Sequence, residues 1–471
     1  MKDSNAKDNE RENMSHTIMP VRLGQILTGK VVEVLYNGFG VVMLNDYPVR
    51  MANAFPDETV KFEITQVNRK FARGEVVEVV APSPDRVELG KDYLLDVGIA
   101  PYVNLRYEAQ LKLKQKQVEK FYAAAGIEAN IAPTIGMANP IQYRNKTVVP
   151  IKNDGEKLVT GFIKRRTPGE ILPLSDYYVN DPVIDQTIAT VRDILNQHQV
   201  SVFSDETQQG EMRYIMVRRG YYSHELMVVL VSQTTAIKEE DKISEEIAAV
   251  VPGIHSVVLN HNPRSLHVLM SGDNRTLWGE DVIHDTLLGI EFEIGPNSFY
   301  QVNPQTTEVL YALAAKKAEL KPTDTVIDAY SGIGTIGLTV ASQVKQVLGV
   351  EVIERAVIDA QKNVANNHVQ NATFITADAP AQMRKWQQEG VQADVIFVDP
   401  PRRGLTDELL DAVTEIKPKR FVYVSCNPAT MARDAKYLIE KGFHIKGDVQ
   451  PLDQFPQTAH VEVVTVFEPN N

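Results

Sequence analysis

From Pro296 onward the chain alternates between short apolar runs and helical patterns. No other feature limits its possible folds as tightly. Thr325–Ala329, Gln346–Val350, Thr373–Thr376, Asp394–Val398 and Arg420–Val424 read as strands, each followed by a helix such as Arg355–His368. This alternation predicts a doubly wound α/β domain with a largely parallel sheet. Two further runs, His444–Gly447 and Glu462–Phe467, have no helix between them and predict an antiparallel hairpin at the end of that sheet. In such sheets ligands bind outside the carboxyl ends of the strands. The residues just after each strand are therefore the ones to read for chemistry.

The remainder divides by pattern. At 471 residues the chain is long enough for two or three domains. Leu27–Val34, Gly38–Leu44, Thr59–Val67 and Phe71–Val80 are short β-branched runs separated by turn residues, which suits a small barrel of the OB type over 18–85. A helix is expected from Tyr107 to Ala125. Strands at Thr147–Ile151, Tyr214–Arg218, Glu225–Val231 and Ser256–Leu259, with a helix at Val183–Gln197, give a mixed α+β domain over 86–294. The α/β domain takes 295–471. Residues 1–17 are polar and charged without an apolar core, which predicts a disordered tail rather than a signal peptide. No apolar run reaches membrane-spanning length, so a cytoplasmic protein without membrane association is expected. The net charge of −12 argues weakly against nucleic acid. Locally, however, Tyr143–Arg166 carries seven basic side chains against Asp154 and Glu156.

Three motifs fall after predicted strands. Gly332-Ile-Gly334-Thr-Ile-Gly337 fits a ligand-binding glycine loop that opens a helix. Glu351, at the end of the next strand, is placed to grip ribose hydroxyls. Asp328, at the lip of the loop, would repel a pyrophosphate but suits the ammonium and sulfonium of a methionine-derived cofactor. Asp399-Pro400-Pro401-Arg402-Arg403-Gly404 makes a rigid turn. Its lack of an aromatic after the prolines disfavours methylation of an exocyclic nitrogen. Ser425-Cys426-Asn427-Pro428 holds the only cysteine of the chain, before a probable helix whose N-terminus would favour a thiolate. A thiolate there suits addition to carbon 6 of a uracil, which activates carbon 5 towards an electrophilic methyl. A base must then remove the carbon 5 proton. Glu462 is the candidate and Asp453 the weaker rival.

With Ser298-Phe-Tyr-Gln301-Val-Asn303, Asp328-Ala-Tyr330-Ser-Gly332 and His460-Val-Glu462, these motifs resemble the RNA uracil-5-methyltransferase family from about Arg22 to Glu468. The resemblance implies a Rossmann-like class I methyltransferase domain with S-adenosylmethionine as cofactor. By the same resemblance Gln301, Tyr330, Glu351, Asp378 and Asp399 line the cofactor site. Thr335 matches another cofactor position, and Gly332 and Gly334 complete the loop. Cys426 is then the nucleophile and Glu462 the base. The N-terminal barrel is similar to a TRAM domain, an RNA-binding module.

Many relatives carry four cysteines for an iron–sulfur cluster. Arg86–Arg106 has none, so the chain is similar to the iron-free enzymes of Gram-positive bacteria that modify 23S ribosomal RNA, and no metal ligands are expected. RNA is the expected partner, ribosomal before transfer RNA because of the barrel; no obligate protein partner is expected. A cytosine-5-methyltransferase generally needs a second cysteine. A non-catalytic RNA-binding assembly factor would have no use for Cys426, Glu462 and the glycine loop together.

Overall fold

A computed structural model of the chain describes residues 19–167, 169–263, 269–270 and 273–470. The tail expected over 1–17 lies outside the described residues. The chain forms two compact units that divide between Glu88 and Leu89.

The first unit is a closed barrel of β1 (Ile26–Val34), β2 (Gly40–Leu44), β3 (Tyr47–Met51), β4 (Thr59–Val67) and β5 (Ala72–Ala81), in the order β1-β2-β3-β5-β4. Period-two alternation builds it: Val60, Phe62 and Ile64 of β4 point inward onto Val31, Val42, Val49 and Met51. Pro48, which cannot donate to a ladder, interrupts the apolar run of β3 and hides that strand from a sequence reading. Glu58 is fully buried, accepts from the Phe55 amide at 2.9 Å and pairs with Arg86, which also lies over the Phe55 ring.

The second unit opens with α1 (Tyr93–Val97) and α2 (Tyr107–Ala124). Next comes a seven-stranded sheet of β6 (Lys146–Asn153), β7 (Leu158–Ile163), β8 (Ile171–Pro173), β9 (Met212–Arg219), β10 (Leu226–Ser232), β11 (Ile254–His261) and β12 (Asn274–Gly279). Two helices, α3 (Pro182–Gln197) and α4 (Glu240–Val250), pack with Ile215, Val228 and Leu230 of this sheet. Met216, Met227 and Val229, which alternate with them, share a core with the hairpin β13 (Ile283–Leu287)–β14 (Ile290–Ile294) and with α5 (Pro304–Ala318). That core continues into the C-terminal sheet through Val326, Val347 and Val424, so the central and C-terminal sheets belong to one body.

The C-terminal part runs β15 (Thr325–Ala329), α6 (Thr335–Val340), β16 (Gln346–Glu351), α7 (Glu354–Asn366), β17 (Ala372–Thr376), α8 (Ala379–Gln388), β18 (Val395–Val398), α9 (Asp407–Ile416), β19 (Arg420–Ser425) and α10 (Pro428–Glu440). It ends with β20 (Phe443–Ile445), β21 (Gln450–Leu452) and β22 (Glu462–Pro469). The strand order is β17-β16-β15-β18-β19-β22-β20, with the short β21 also against β22. Strands β15 to β19 pair in parallel, and β22 inserts antiparallel between β19 and β20, as the terminal pattern predicts. Among the described residues no helix is long and apolar enough to cross a membrane.

The basic stretch around Tyr143–Arg166 is less available than its composition implies. Arg144 donates to the Lys146 carbonyl and Arg165 to that of Gly98, while Lys152 and Lys164 pair with Asp205 and Glu170.

One polar knot crosses the second unit. Lys114 of α2 and Asp453, both without solvent exposure, form an ion pair, and Lys114 also donates to the Phe455 carbonyl at 3.1 Å. Burial holds the Lys114 ammonium below its ordinary range and the Asp453 carboxyl above its own, each opposed by the other's charge. Gln110 donates to Gln457 at 3.1 Å, and Tyr143 donates to the Pro456 carbonyl at 3.0 Å. Together these contacts anchor the connection that delivers the chain to β22. Breaking a buried pair from one side leaves an uncompensated charge, at a cost of about 3–5 kcal/mol. Asp453→Asn is therefore expected to lower unfolding stability by that order in urea denaturation, and Lys114→Met added to it should recover most of the loss. An unchanged midpoint in Asp453→Asn would contradict the role given to the pair.

Candidate active site

The strand order reverses around β15, whose neighbours are β16 and β18, and in open α/β sheets ligands bind at such a point, outside the carboxyl ends of the strands. Tyr330 leaves β15 in the left-handed region, with φ of 66°, while its amide and that of Ser331 donate to the Val350 carbonyl. That turn lifts the chain into the glycine loop. Gly332 and Gly334 both have positive φ, and a Cβ on Gly332 would meet nothing within 4 Å, so this glycine borders open space. Glu351 closes the loop from β16. Its Oε2 accepts from the Gly332 amide at 3.2 Å, and its Oε1 accepts from the amides of Val352 and Ile353.

Asp328 does not stand at the lip of the loop as its position in sequence suggests. It is buried beneath it, where Oδ2 accepts from the Gly337 amide at 2.8 Å and so ties β15 to α6. Its Oδ1 is buried without a hydrogen-bond partner. Burial, with the nearby charges of Asp399 and Glu351, pushes its pKa up to about 7. Asp399, at the end of β18, is likewise raised to about 7 by desolvation, and Gln301 Nε2 lies 3.5 Å from its Oδ2. Carboxyl groups collected with so little cationic compensation fit a positively charged ligand, as the ammonium and sulfonium of S-adenosylmethionine require. Thr335 opens α6 with its hydroxyl 3.3 Å from that of Tyr311. Asp378 is exposed and caps α8 by accepting from the Ala381 amide.

The second half of the site comes from β19 and β22. Their register pairs Ser425 with Val463, so the next step along the ladder sets Cys426 against Glu462. Cys426 precedes α10, whose first turn is capped by Asn427 accepting from the Ala429 amide. Asn427 Nδ2 donates to the Arg402 carbonyl at 2.8 Å and so ties the loop of Cys426 to the Asp399–Gly404 turn. Asp434 braces that turn from below, accepting from the Leu405 amide and the Tyr423 hydroxyl.

The electrostatics correct one expectation. The helix N-terminus was expected to favour a thiolate, whereas the Cys426 thiol is pushed up to about 11 by burial and by the charges of Glu462 and Asp399. Arg402 opposes this by charge and by a hydrogen bond to the thiol. Glu462 is buried with Oε2 lacking a hydrogen-bond partner, and burial beside Asp399 holds it well above the carboxylate range while Arg402 pulls it back. His460 contacts Arg402 at 3.4 Å, and burial keeps it neutral with a pKa near 4. Asp453, the rival base, is engaged by Lys114 and the Phe455 amide. Sequence reading assigned no role to Tyr311, Asp434 or His460. Only His460 carried a signal, through its place two residues before Glu462.

A family profile described as tRNA (Uracil-5-)-methyltransferase matches residues 280–469. An uncharacterized RNA methyltransferase of Lactiplantibacillus plantarum is 45% identical over 451 residues, covering 96% of this chain and 98% of the relative. Another, from Enterococcus faecalis, is 40% identical over 450 residues, covering 95% and 98%. Among solved structures, the Pyrococcus abyssi tRNA (uracil-54, C5)-methyltransferase in complex with S-adenosyl-L-homocysteine superposes with a TM-score of 0.73 at 27% identity, over 94% of this chain and all of that one. The chain belongs to the RNA uracil-5-methyltransferase family and is an S-adenosylmethionine-dependent enzyme that methylates carbon 5 of uracil in RNA.

Proposed function

We propose that the chain modifies a uridine of 23S ribosomal RNA through a transient covalent bond between Cys426 Sγ and carbon 6 of the ring. The observation that carries the chemistry is the β19–β22 register, which sets Cys426 beside Glu462 with Arg402 facing both. Bound S-adenosylmethionine supplies a methyl group on a cationic sulfur. Gln301, Asp328, Tyr330, Gly332, Gly334, Thr335, Glu351, Asp378 and Asp399 are the residues proposed to hold it.

The uridine must leave its stack to reach the cleft. Cys426 releases its thiol proton to solvent, Arg402 stabilises the thiolate that results, and the sulfur adds to carbon 6 while electron density moves to carbon 5 and the carbonyl oxygen. Carbon 5 takes the methyl. Glu462 then accepts the carbon 5 proton, the carbon 5–carbon 6 double bond re-forms, and the thiolate leaves. Desolvation suits Glu462 to this step, because a carboxylate in an apolar setting is a stronger base than one in water.

A second reading, a transfer RNA target, is supported by the Pyrococcus abyssi enzyme. Its likeness extends over 94% of the present chain and so takes in most of the barrel. The barrel therefore does not separate the two targets. Mapping 5-methyluridine in cells with and without the gene decides: loss from 23S ribosomal RNA is expected, and loss confined to transfer RNA would replace the first reading by the second.

Cys426→Ala is expected to abolish methyl transfer while S-adenosylhomocysteine affinity stays within about twofold, since the proposed cofactor contacts lie on other strands. Turnover comparable to the wild type would refute the nucleophile. Glu462→Gln removes the base and also one of the charges that raises the thiol. Addition and methyl transfer should proceed while release fails, with turnover down by at least about a hundredfold. A slow-migrating protein–RNA band should appear on a denaturing gel with ordinary uridine RNA. Normal turnover without that band would remove Glu462 from the reaction.

A further inference from the structure

Away from the cleft, Glu225, His255 and His284 gather at one end of the central sheet. Glu225 immediately precedes β10, His255 is the second residue of β11, and parallel pairing of Leu226 with Ile254 brings the two together. His284 is the second residue of β13, and its amide donates to Glu225 Oε2 at 2.7 Å. His284 Nδ1 lies 3.2 Å and His255 Nε2 3.8 Å from that same oxygen, and all three potential ligand atoms lie within 4.8 Å of one another. The two imidazoles meet edge to face, with ring centroids 5.9 Å apart.

A plain histidine–carboxylate hydrogen bond accounts for His284 but not for His255. The Nε2 of His255 is shut off from solvent and makes no hydrogen bond. A buried ring nitrogen without a partner is a costly arrangement, and an ion placed between the three atoms removes that cost. Metal–ligand bonds of about 2.0–2.1 Å at tetrahedral angles set ligand atoms about 3.3–3.4 Å apart. The observed 3.2 and 3.8 Å straddle that spacing. The backbone donation from His284 to Glu225 acts as the outer-shell contact that orients a ligating carboxylate. His224, the neighbouring histidine, is turned to Arg219 at 3.0 Å and is not a ligand.

We propose that Glu225, His255 and His284 bind a divalent transition metal of the zinc class, which clips the β13–β14 hairpin to the starts of β10 and β11. Two imidazoles and one carboxylate select such an ion over magnesium or calcium, which prefer all-oxygen shells. The side chains of the three residues are 26%, 32% and 32% exposed, so the cluster lies near the surface and not in the core. The clip lies upstream of the turn where buried Arg218 donates to the carbonyls of Gly295 and Ser298, and so of the segment that presents Gln301. No step of methyl transfer passes through it.

The test uses the full chain without a histidine tag, stripped with a chelator. Titration with zinc against a chromophoric indicator should show one strong site per chain. Glu225→Gln and His255→Gln should each weaken it at least about tenfold, since each removes one of three protein ligands. Cys426→Ala and His444→Gln should bind zinc as the wild type does. Cobalt in the wild type should give visible ligand-field bands without a thiolate charge-transfer band, a readout that needs no variant to fold. Absence of saturable zinc binding, retention of it in both ligand variants, or a thiolate charge-transfer band would each overturn the proposal.

Discussion

The register of β22 against β19 is the constraint on which the site depends. Side chains alternate across a strand, so a slip of one residue would turn Glu462 to the other face of the sheet and carry the whole apolar pattern of β22 with it. Side-chain packing opposes the slip: residues 462–467 are all buried, and the Phe467 ring lies 6.1 Å from that of Phe421 of β19. The approach to the strand is anchored by Lys114–Asp453 and by the contacts from Gln110 and Tyr143. Glu462 is thus placed beside Cys426 by sheet pairing, not by a mobile loop.

Charge in the cleft is arranged in two halves. Towards the glycine loop, burial and the charges of Asp399 and Glu351 raise the proton affinity of Asp328, and burial raises that of Asp399. This is the environment that a cationic methyl donor would relieve. Towards β22, Arg402 faces Cys426, Glu462 and His460 and favours negative charge on the thiol. With its thiol near 11, Cys426 is protonated at neutral pH in the chain alone. A cationic ligand at the acidic half would weaken the repulsion that keeps it so.

Much of this was legible in the sequence because parallel strands write their function at their carboxyl ends. Gly332, Glu351, Asp399 and Cys426 each follow a strand whose apolar run is plain, and the helixless tail announced the antiparallel insertion of β22. What escaped depends on contacts distant in sequence. Lys114 reads as one of several lysines on a surface helix, yet it is buried against Asp453, more than three hundred residues away. The burial of Asp328 escaped because sequence shows that it lies at the end of a strand but not that α6 folds over it. The thiol was expected to be acidic from its helix alone, and the two carboxyls that reverse this come from β18 and β22. The basic run near Arg144 looked like an RNA patch, but several of its charges are already engaged within the fold.

The most direct test of the central claim, that Cys426 attacks and Glu462 acts only afterwards, is mass spectrometry of the complex with RNA carrying 5-fluorouridine at the target. Fluorine in place of the carbon 5 hydrogen denies the base its proton, so the reaction should stop after methyl transfer. The expected product is a peptide containing Cys426 linked to a nucleotide that carries both fluorine and the new methyl group. A link through any other residue, or an adduct at Cys426 that never acquires the methyl, would contradict the account.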